Sequence, residues 1–373
     1  MSAVVRLAPT QDAAPARIAL LGTGVVGSAF VARYARLRER GLRLPELAIA
    51  CNTRELLLPS SSGRKWRGSD EGAAESCISE TSQLRRTFTP TPLPTGEGFL
   101  AVDSALLPGD IVVDATASEA VAEKHALWLT RGVHVVTANK LGSGGTWLRA
   151  QAISHARTHS GARYGDSATV GAGLPLLRSI RELVRGGDRI HRVEGVLSGS
   201  LAWLFNHYDG MRPFSGFVRE ARNAGYTEPD PRLDLSGEDV RRKLLILARA
   251  AGLPLQAQDV RVESLVPADL AALPMDELDA ALPTLDVALA ARLQEACRNG
   301  ERLRFLGRFD ADGASVGLQA LPGDHPLCAG IGTDNKVAIS SDRYKLQPLV
   351  IQGPGAGAEV TAAALWDDVL RII

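Results

Sequence analysis

Apolar positions follow two different rhythms along the chain. Arg17-Ile-Ala-Leu-Leu is a short apolar run ending in glycines, and Val25-Val-Gly-Ser-Ala-Phe-Val-Ala-Arg-Tyr then spaces its apolar residues as a helix does. Strand, turn, helix is the expected order. Leu47-Ala-Ile-Ala-Cys-Asn follows about one βαβ unit later. The alternation resumes with Ile111-Val-Val-Asp, a helix near 118–131 and Val133-His-Val-Val-Thr. Strands alternating with helices predict a parallel sheet with right-handed crossovers. Residues 58–95, rich in Ser, Gly, Pro and Thr, read as loop with some broken helix.

From about 141 the rhythm changes. Helical stretches fall near 145–159, 174–185, 214–224 and 237–251, with strand-like runs at 190–197, 303–309, 314–320, 336–341 and 348–352. Strands joined by short turns predict a mostly antiparallel sheet, hence an α+β second domain. Residues 262–300 read as amphipathic helix broken by Pro267, Pro274 and Pro283. Val170-Gly-Ala-Gly-Leu-Pro175 and Val196-Leu-Ser-Gly-Ser200 are small-residue turns, open to a ligand or merely to close packing. The chain closes on a Gly353-Pro-Gly-Ala-Gly turn and a helix from Glu359 to about Leu370.

Composition narrows the class. The 373 residues carry 42 basic and 42 acidic side chains, so formal net charge is zero. That balance argues against coating nucleic acid or an anionic membrane. No run approaches the ~18 apolar residues of a membrane span, and the first residues lack a secretory apolar core, so the cytoplasm is expected. The four cysteines form no CxxC pair and the seven histidines show no metal-ligand spacing. Only six basic residues are lysines against 36 arginines. Each lysine therefore raises the question of why it is not an arginine.

Three segments carry candidate chemistry. Gly22-Thr-Gly-Val-Val-Gly27 is a GxGxxG between strand and helix, a pattern that cradles a dinucleotide pyrophosphate on the helix N-terminus. At the end of the second strand an NAD enzyme usually places an acid for the ribose hydroxyl; here Cys51-Asn52-Thr53-Arg54 has none before Glu55. Asn52 and Arg54 suit a 2′-phosphate, which favours NADP, with NAD as the alternative. The run Gly225-Tyr-Thr-Glu-Pro-Asp-Pro-Arg-Leu-Asp-Leu-Ser-Gly-Glu-Asp-Val-Arg-Arg-Lys243 sets Glu228, Asp230 and Asp234 on a proline-stiffened loop. Ser236 then reads as an N-cap paired with Asp239, and Asp239 and Lys243 share a helix face at i,i+4. A solvated ion pair on a capped helix is the bland alternative. Val135-Val-Thr-Ala-Asn-Lys140 brings a lysine to the carboxyl end of a parallel strand, where ligands of open α/β sheets bind, although it equally well starts the next helix.

In this order the segments resemble the homoserine dehydrogenase family, including the dehydrogenase half of bifunctional aspartokinase–homoserine dehydrogenases, over about 17–373. GTGVVG, VVTANK, TVGAGLP, GVLSGSL, GYTEPDPRLDLSGEDVRRK and GPGAGAEVTAA carry the likeness. It implies an α/β protein: a leader (1–16), a Rossmann-type dinucleotide-binding domain (17–140), an α+β dimerisation and catalytic domain (141–341) and a C-terminal segment (342–373) returning to the nucleotide domain. No kinase domain is expected. The implied reaction interconverts L-aspartate 4-semialdehyde and L-homoserine, within threonine, methionine and isoleucine biosynthesis, in a homodimer.

By resemblance Lys140, Lys243 and Asp239 are catalytic, and Glu228, Asp234, Gly199 and Ser200 bind substrate. Gly22, Thr23, Gly24, Val25, Val26, Gly27, Asn52, Arg54, Thr116, Ala117, Ser118, Thr137, Lys140 and Gly355 are expected at the cofactor. Ser167, Val170, Ala172 and Leu174 match a site for a monovalent cation, Na+ or K+. Where many members read Arg-Asp-Asp-Leu, this chain has Arg232-Leu-Asp-Leu235, one carboxylate fewer. Two rivals remain: an acylating aldehyde dehydrogenase, which needs an activated cysteine, and a nonenzymatic NADP-binding sensor.

Overall fold

Short strands of fully buried aliphatic residues build the first half. The computed structural model describes residues 16–52, 55–59, 88–92, 98–330 and 332–373. In chain order the first elements are β1 (Arg17–Leu21), α1 (Val25–Glu39), β2 (Glu46–Cys51), β3 (Glu55–Pro59), β4 (Phe88–Pro92), α2 (Gly98–Ala105), β5 (Ile111–Asp114), α3 (Glu119–Thr130), β6 (His134–Thr137), α4 (Trp147–His159) and β7 (Tyr164–Gly165). The strands form one sheet in the order β4-β3-β2-β1-β5-β6-β7. From β2 to β7 every pairing is parallel, while β3 and β4 add antiparallel at one edge. All four residues of β5 are buried, as strands covered on both faces must be. The order reverses between β1 and β5, so the crevice at their carboxyl ends is the expected ligand position.

Two details differ from the sequence reading. The segment 58–95, expected as loop and broken helix, is flanked by the paired strands β3 and β4; its interior lies outside the described residues, as do 1–15. Beyond residue 140 the chain stays with the first sheet, because β7 pairs with β6 and α4 packs on α3.

The second half continues with α5 (Leu176–Arg185), β8 (Ile190–Val196), α6 (Gly199–His207), α7 (Phe214–Asn223), α8 (Arg232–Leu235), α9 (Glu238–Ala250), β9 (Val260–Val262), α10 (Ala268–Ala272), α11 (Met275–Ala281), α12 (Asp286–Arg298), β10 (Glu301–Asp310), β11 (Gly313–Pro322), β12 (Asn335–Ser341), β13 (Leu349–Gly353) and α13 (Ala358–Ile372). Its sheet runs β13-β12-β8-β10-β11-β9, antiparallel except for β11 with β9. Leu303, Phe305 and Phe309 of β10 point into one core with Leu244, Leu247 and Val240 of α9. Pro267 and Pro274 each stand just before a short helix, where the missing N–H costs nothing.

Helix α6 starts inside the segment Val196–Ser200, expected as a small-residue turn. Its Gly-Ser-Leu-Ala-Trp-Leu-Phe sequence shows no amphipathic period because Ser200 through Phe205 are all buried. The return of the C-terminal segment belongs to α13 alone, since β13 stays with the second sheet. Trp366 of α13 stacks on Phe30 of α1 at 4.5 Å and donates its indole N–H to the Phe30 carbonyl at 3.0 Å. Among the described residues no helix is long and apolar enough to cross a membrane.

Candidate active site

The glycine loop after β1 is shaped by close approach. Gly22 has φ 97°, and a Cβ on Gly27 would lie 1.9 Å from the Gly22 carbonyl oxygen. Only glycine lets α1 start so near the strand. A Cβ on Gly24 would meet nothing within 4 Å, and no side chain caps the first N–H groups of α1. Those open amides, without an acid in the first turn, fit an anionic pyrophosphate. Thr23 and the exposed Val25 lie at this mouth, with Val26 half-buried behind; Asn52, at the end of β2, donates to the Thr23 hydroxyl at 2.8 Å. Arg54 lies outside the described residues.

The second wall is the turn after β5. Thr116 gives both its N–H and its hydroxyl to Asp114 Oδ1, at 2.9 and 2.7 Å. Ser118 caps α3, and Ala117 between them is exposed. Thr137 departs from the expectation. Its side chain is fully buried, with its hydroxyl on the Asp114 carbonyl, so it supports the wall without lining it.

The catalytic candidates converge. Lys140 Nζ lies 3.1 Å from Asp239 Oδ1, and Lys243 Nζ lies 2.8 Å from Oδ2 of the same carboxylate. One lysine follows β6 of the first sheet and the other rides α9, so a single carboxylate joins the two halves. Lys243 is buried and also donates to the Leu197 carbonyl at 2.6 Å. Burial opposes charge on Asp239, but Lys243 and Lys140 outweigh it and hold the carboxyl well below its ordinary range. For Lys243, burial dominates and lowers the ammonium pKa, with Lys140 adding to the fall and Asp239 opposing it. An ammonium of lowered pKa beside a fixed carboxylate is equipped to give and take a proton.

Ser236 is not the N-cap of α9. Gly237 holds that position with φ 78°, while the Ser236 hydroxyl donates to the Leu233 carbonyl and accepts from Glu238 N–H. The left-handed turn there admits glycine at no steric cost. Asp234 accepts from the Ser200 hydroxyl at 2.7 Å and from Glu228 N–H at 2.9 Å. It therefore fastens the acidic loop to α6, whose first residue is Gly199. Glu228 stays exposed on that loop, whereas Asp230 is paired with Arg232.

Gly355 lies against Asn335, where a Cβ would sit 2.0 Å from the amide carbon. Asn335 donates to the same Leu197 carbonyl as Lys243, and its own buried Oδ1 has no partner among the described residues. The sequence reading passed over Asn335. It also passed over Asn139, which donates to the Ser118 carbonyl and accepts from Leu141 N–H, tying both walls together beside Lys140. Asn139 stood inside a quoted motif; nothing local marked Asn335.

Around the expected cation site, Ser167 N–H and Oγ–H both donate to Asp368, at 2.9 and 2.8 Å. Val170 is buried, Ala172 takes φ 47° and the Leu174 carbonyl accepts from Leu176 N–H. Among the described residues no group of three or more His, Cys, Asp or Glu side chains is placed to hold a metal ion. Cys77 lies outside the described residues, and the two buried cysteines are not activated. Burial pushes the Cys51 thiol up to about 12 and also raises Cys328. An activated nucleophile needs the opposite shift.

Comparison with known proteins identifies the family. A family model described as homoserine dehydrogenase, NAD binding domain, matches residues 22–161, and one described as homoserine dehydrogenase matches 175–370. The homoserine dehydrogenase of Emericella nidulans is 36% identical over 381 residues, covering 96% of this chain and 99% of the relative. The bifunctional aspartokinase/homoserine dehydrogenase 2 of Zea mays is 45% identical over 273 residues, which is 72% of this chain and 30% of that one. The chain thus spans under a third of the bifunctional relative's length. Among solved structures, a Candida auris protein of unknown function superimposes with TM-score 0.82 at 32% identity, over 96% of this chain and 98% of that one. Two family models together span most of the chain on both sides of the shared carboxylate, and a relative matches nearly end to end; this chain belongs to the homoserine dehydrogenase family.

Proposed function

We propose that the chain reduces L-aspartate 4-semialdehyde to L-homoserine and catalyses the reverse oxidation, using NADPH in preference to NADH. The single observation that carries this reading is the Lys140–Asp239–Lys243 arrangement, at the carboxyl end of β6 and facing the second domain. A bound nicotinamide dinucleotide supplies or accepts the hydride; the open amides at Gly24 and the start of α1 hold its pyrophosphate. The oxygen of the reduced aldehyde needs a proton, and Lys243, the buried lysine, delivers it from Nζ. Asp239 fixes both ammonium groups, and Lys140 provides the second cation beside the reacting oxygen. Glu228, exposed on a stiff loop that Asp234 secures, receives the substrate ammonium. The absence of an acid at the end of β2, with Asn52 in its place, supports the 2′-phosphate.

The Val170, Ala172 and Leu174 carbonyls lie on a strained turn that suits a monovalent cation, but Ser167 is already committed to Asp368, so no step is assigned to such an ion. The chain works as a homodimer in the amino-acid biosynthetic route of its family. Free thiols at Cys51, Cys297 and Cys328 suit the reducing cytoplasm. The deciding experiment follows absorbance loss from NADPH and, separately, NADH with L-aspartate 4-semialdehyde. No turnover with either would leave the sensor reading standing.

A further inference from the structure

Helix α5 carries Arg178, Arg181 and Arg185, and all three line one open cavity of about 820 Å³. Arg157 of α4, Arg163 before β7 and Arg371 of α13 line the same space. Neither Lys140, Asp239 and Lys243 nor the Gly22–Gly27 loop borders it, so it is separate from the catalytic crevice.

The charges there do not balance. Arg181 grips buried Asp166 with two nitrogens, at 2.6 and 2.8 Å. Arg371 pairs with Asp368 at 2.7 Å, and Arg178 with Glu182 at 2.8 Å. Arg163 reaches only a carbonyl, that of Arg371. The Arg157 and Arg185 side chains make no hydrogen bond or ion pair with any described residue; Arg157 is half-buried and Arg185 exposed. Burial and the neighbouring Arg181 both act against charge on Arg157, with Asp166 opposing them. Even with Asp166 counted behind Arg181, a chain of zero net charge thus gathers three more guanidinium groups than carboxylates at one cavity.

Half-buried Arg157 loses hydration without a carboxylate of its own, and the exposed Arg163 and Arg185 beside it raise the local positive potential, so the arrangement favours an anion. Arginine's planar fork matches phosphate oxygens two at a time, where lysine offers a point charge. The volume falls within the roughly 300–1,000 Å³ of small-molecule sites. A phosphate group carries close to two charges and three acceptor oxygens, denser than a carboxylate. We propose that this arginine-lined cavity is a second anion site, built for a small molecule bearing phosphate groups. Its walls come from α4 beside the first sheet, α5 of the second half and the returning α13. An occupant therefore clamps the junction between the two halves.

The test is calorimetric titration of the whole chain with pyrophosphate, in saturating NADPH so that the glycine-loop crevice is filled. The expected result is one pyrophosphate per chain, weakened by added salt. Arg157→Gln/Arg185→Gln should weaken it at least tenfold and leave turnover unchanged. Arg157→Lys/Arg185→Lys, which keeps the charges, should fall between the two. Four results would overturn the proposal: no binding, equal affinity in the glutamine pair, lysine-pair binding as weak as the glutamine pair, or tighter binding of citrate than of pyrophosphate. A changed oligomeric mass in the glutamine pair with unaltered pyrophosphate affinity would also do so, making these arginines a contact between copies.

Discussion

At the scale of single residues, the choice of lysine over arginine is the informative one. Arginine stays protonated and would serve a static ion pair with Asp239 equally well, but it cannot exchange a proton near neutral pH. Lys243→Arg should keep the fold and lower kcat at least tenfold, about 1.4 kcal/mol of transition-state stabilisation, and Lys140→Arg should do the same because a planar guanidinium cannot put its charge where the compact ammonium stands. Near-normal kcat in both would reduce the lysines to binding charges. The electrostatics also set the sign of a pH effect. With Lys243 as the proposed proton carrier, homoserine oxidation should need it neutral and rise with pH through a midpoint below the ordinary lysine value. Asp239 raises that pKa and Lys140 lowers it. Residual oxidation by Asp239→Asn should therefore show a lower midpoint than the parent, and by Lys140→Met a higher one. Midpoints moving together would refute the assignment of the proton to Lys243. For the cofactor, Arg54→Ala should narrow the preference for NADPH, measured as the ratio of kcat/KM values.

Among elements, α13 and the β5 turn show how distant sequence supports the crevice. Trp366 is buried against Phe30 and Tyr34 of α1, the helix whose open start is proposed to take the pyrophosphate. Replacing it with alanine removes a large fully packed side chain, and Trp366→Ala should cost about 3–5 kcal/mol in urea unfolding. Weakened NADPH binding should accompany the loss, because α1 loses its backing. Beneath the opposite wall, His125 is fully buried between Asp114 Oδ2 at 2.9 Å and the Tyr164 hydroxyl at 3.1 Å. Asp114 in turn holds Thr116 and Thr137. His125→Ala strands two buried polar groups and should destabilise by about 3 kcal/mol. A change below about 0.5 kcal/mol would mean that the network is not holding the wall.

For the whole molecule, the second sheet spends one face on the large core with α9, and Val196, Leu306, Leu327 and Ala338 form a second, small apolar cluster buried within the chain. What stays open is the edge strand β13, with Val350 exposed. Pairing with a twofold copy is the economical way to cover it, since an isologous contact needs only one self-complementary patch. Light scattering at working concentration should return twice the 39.6 kDa chain mass. A monomeric mass would remove the homodimer from the proposal.

The alternating apolar runs were enough to assign the parallel sheet, because strands buried on both faces must be continuously aliphatic. The glycine loop was equally legible, since its spacing answers a local steric demand. The acids and lysines of the site stood within contiguous motifs, so their identity was readable too. Their meeting was not. Lys140 and Lys243 lie on different sheets' domains, and only the packing of α9 against the end of β6 puts both on Asp239. Helix α6 was hidden because a helix buried all round carries no amphipathic signal. Asn335, the His125 network and the arginine cavity were hidden because each assembles residues far apart in the chain. Local steric and solvation rules leave their mark on neighbouring residues; a shared carboxylate or an unbalanced cluster of charge exists only once the chain has folded.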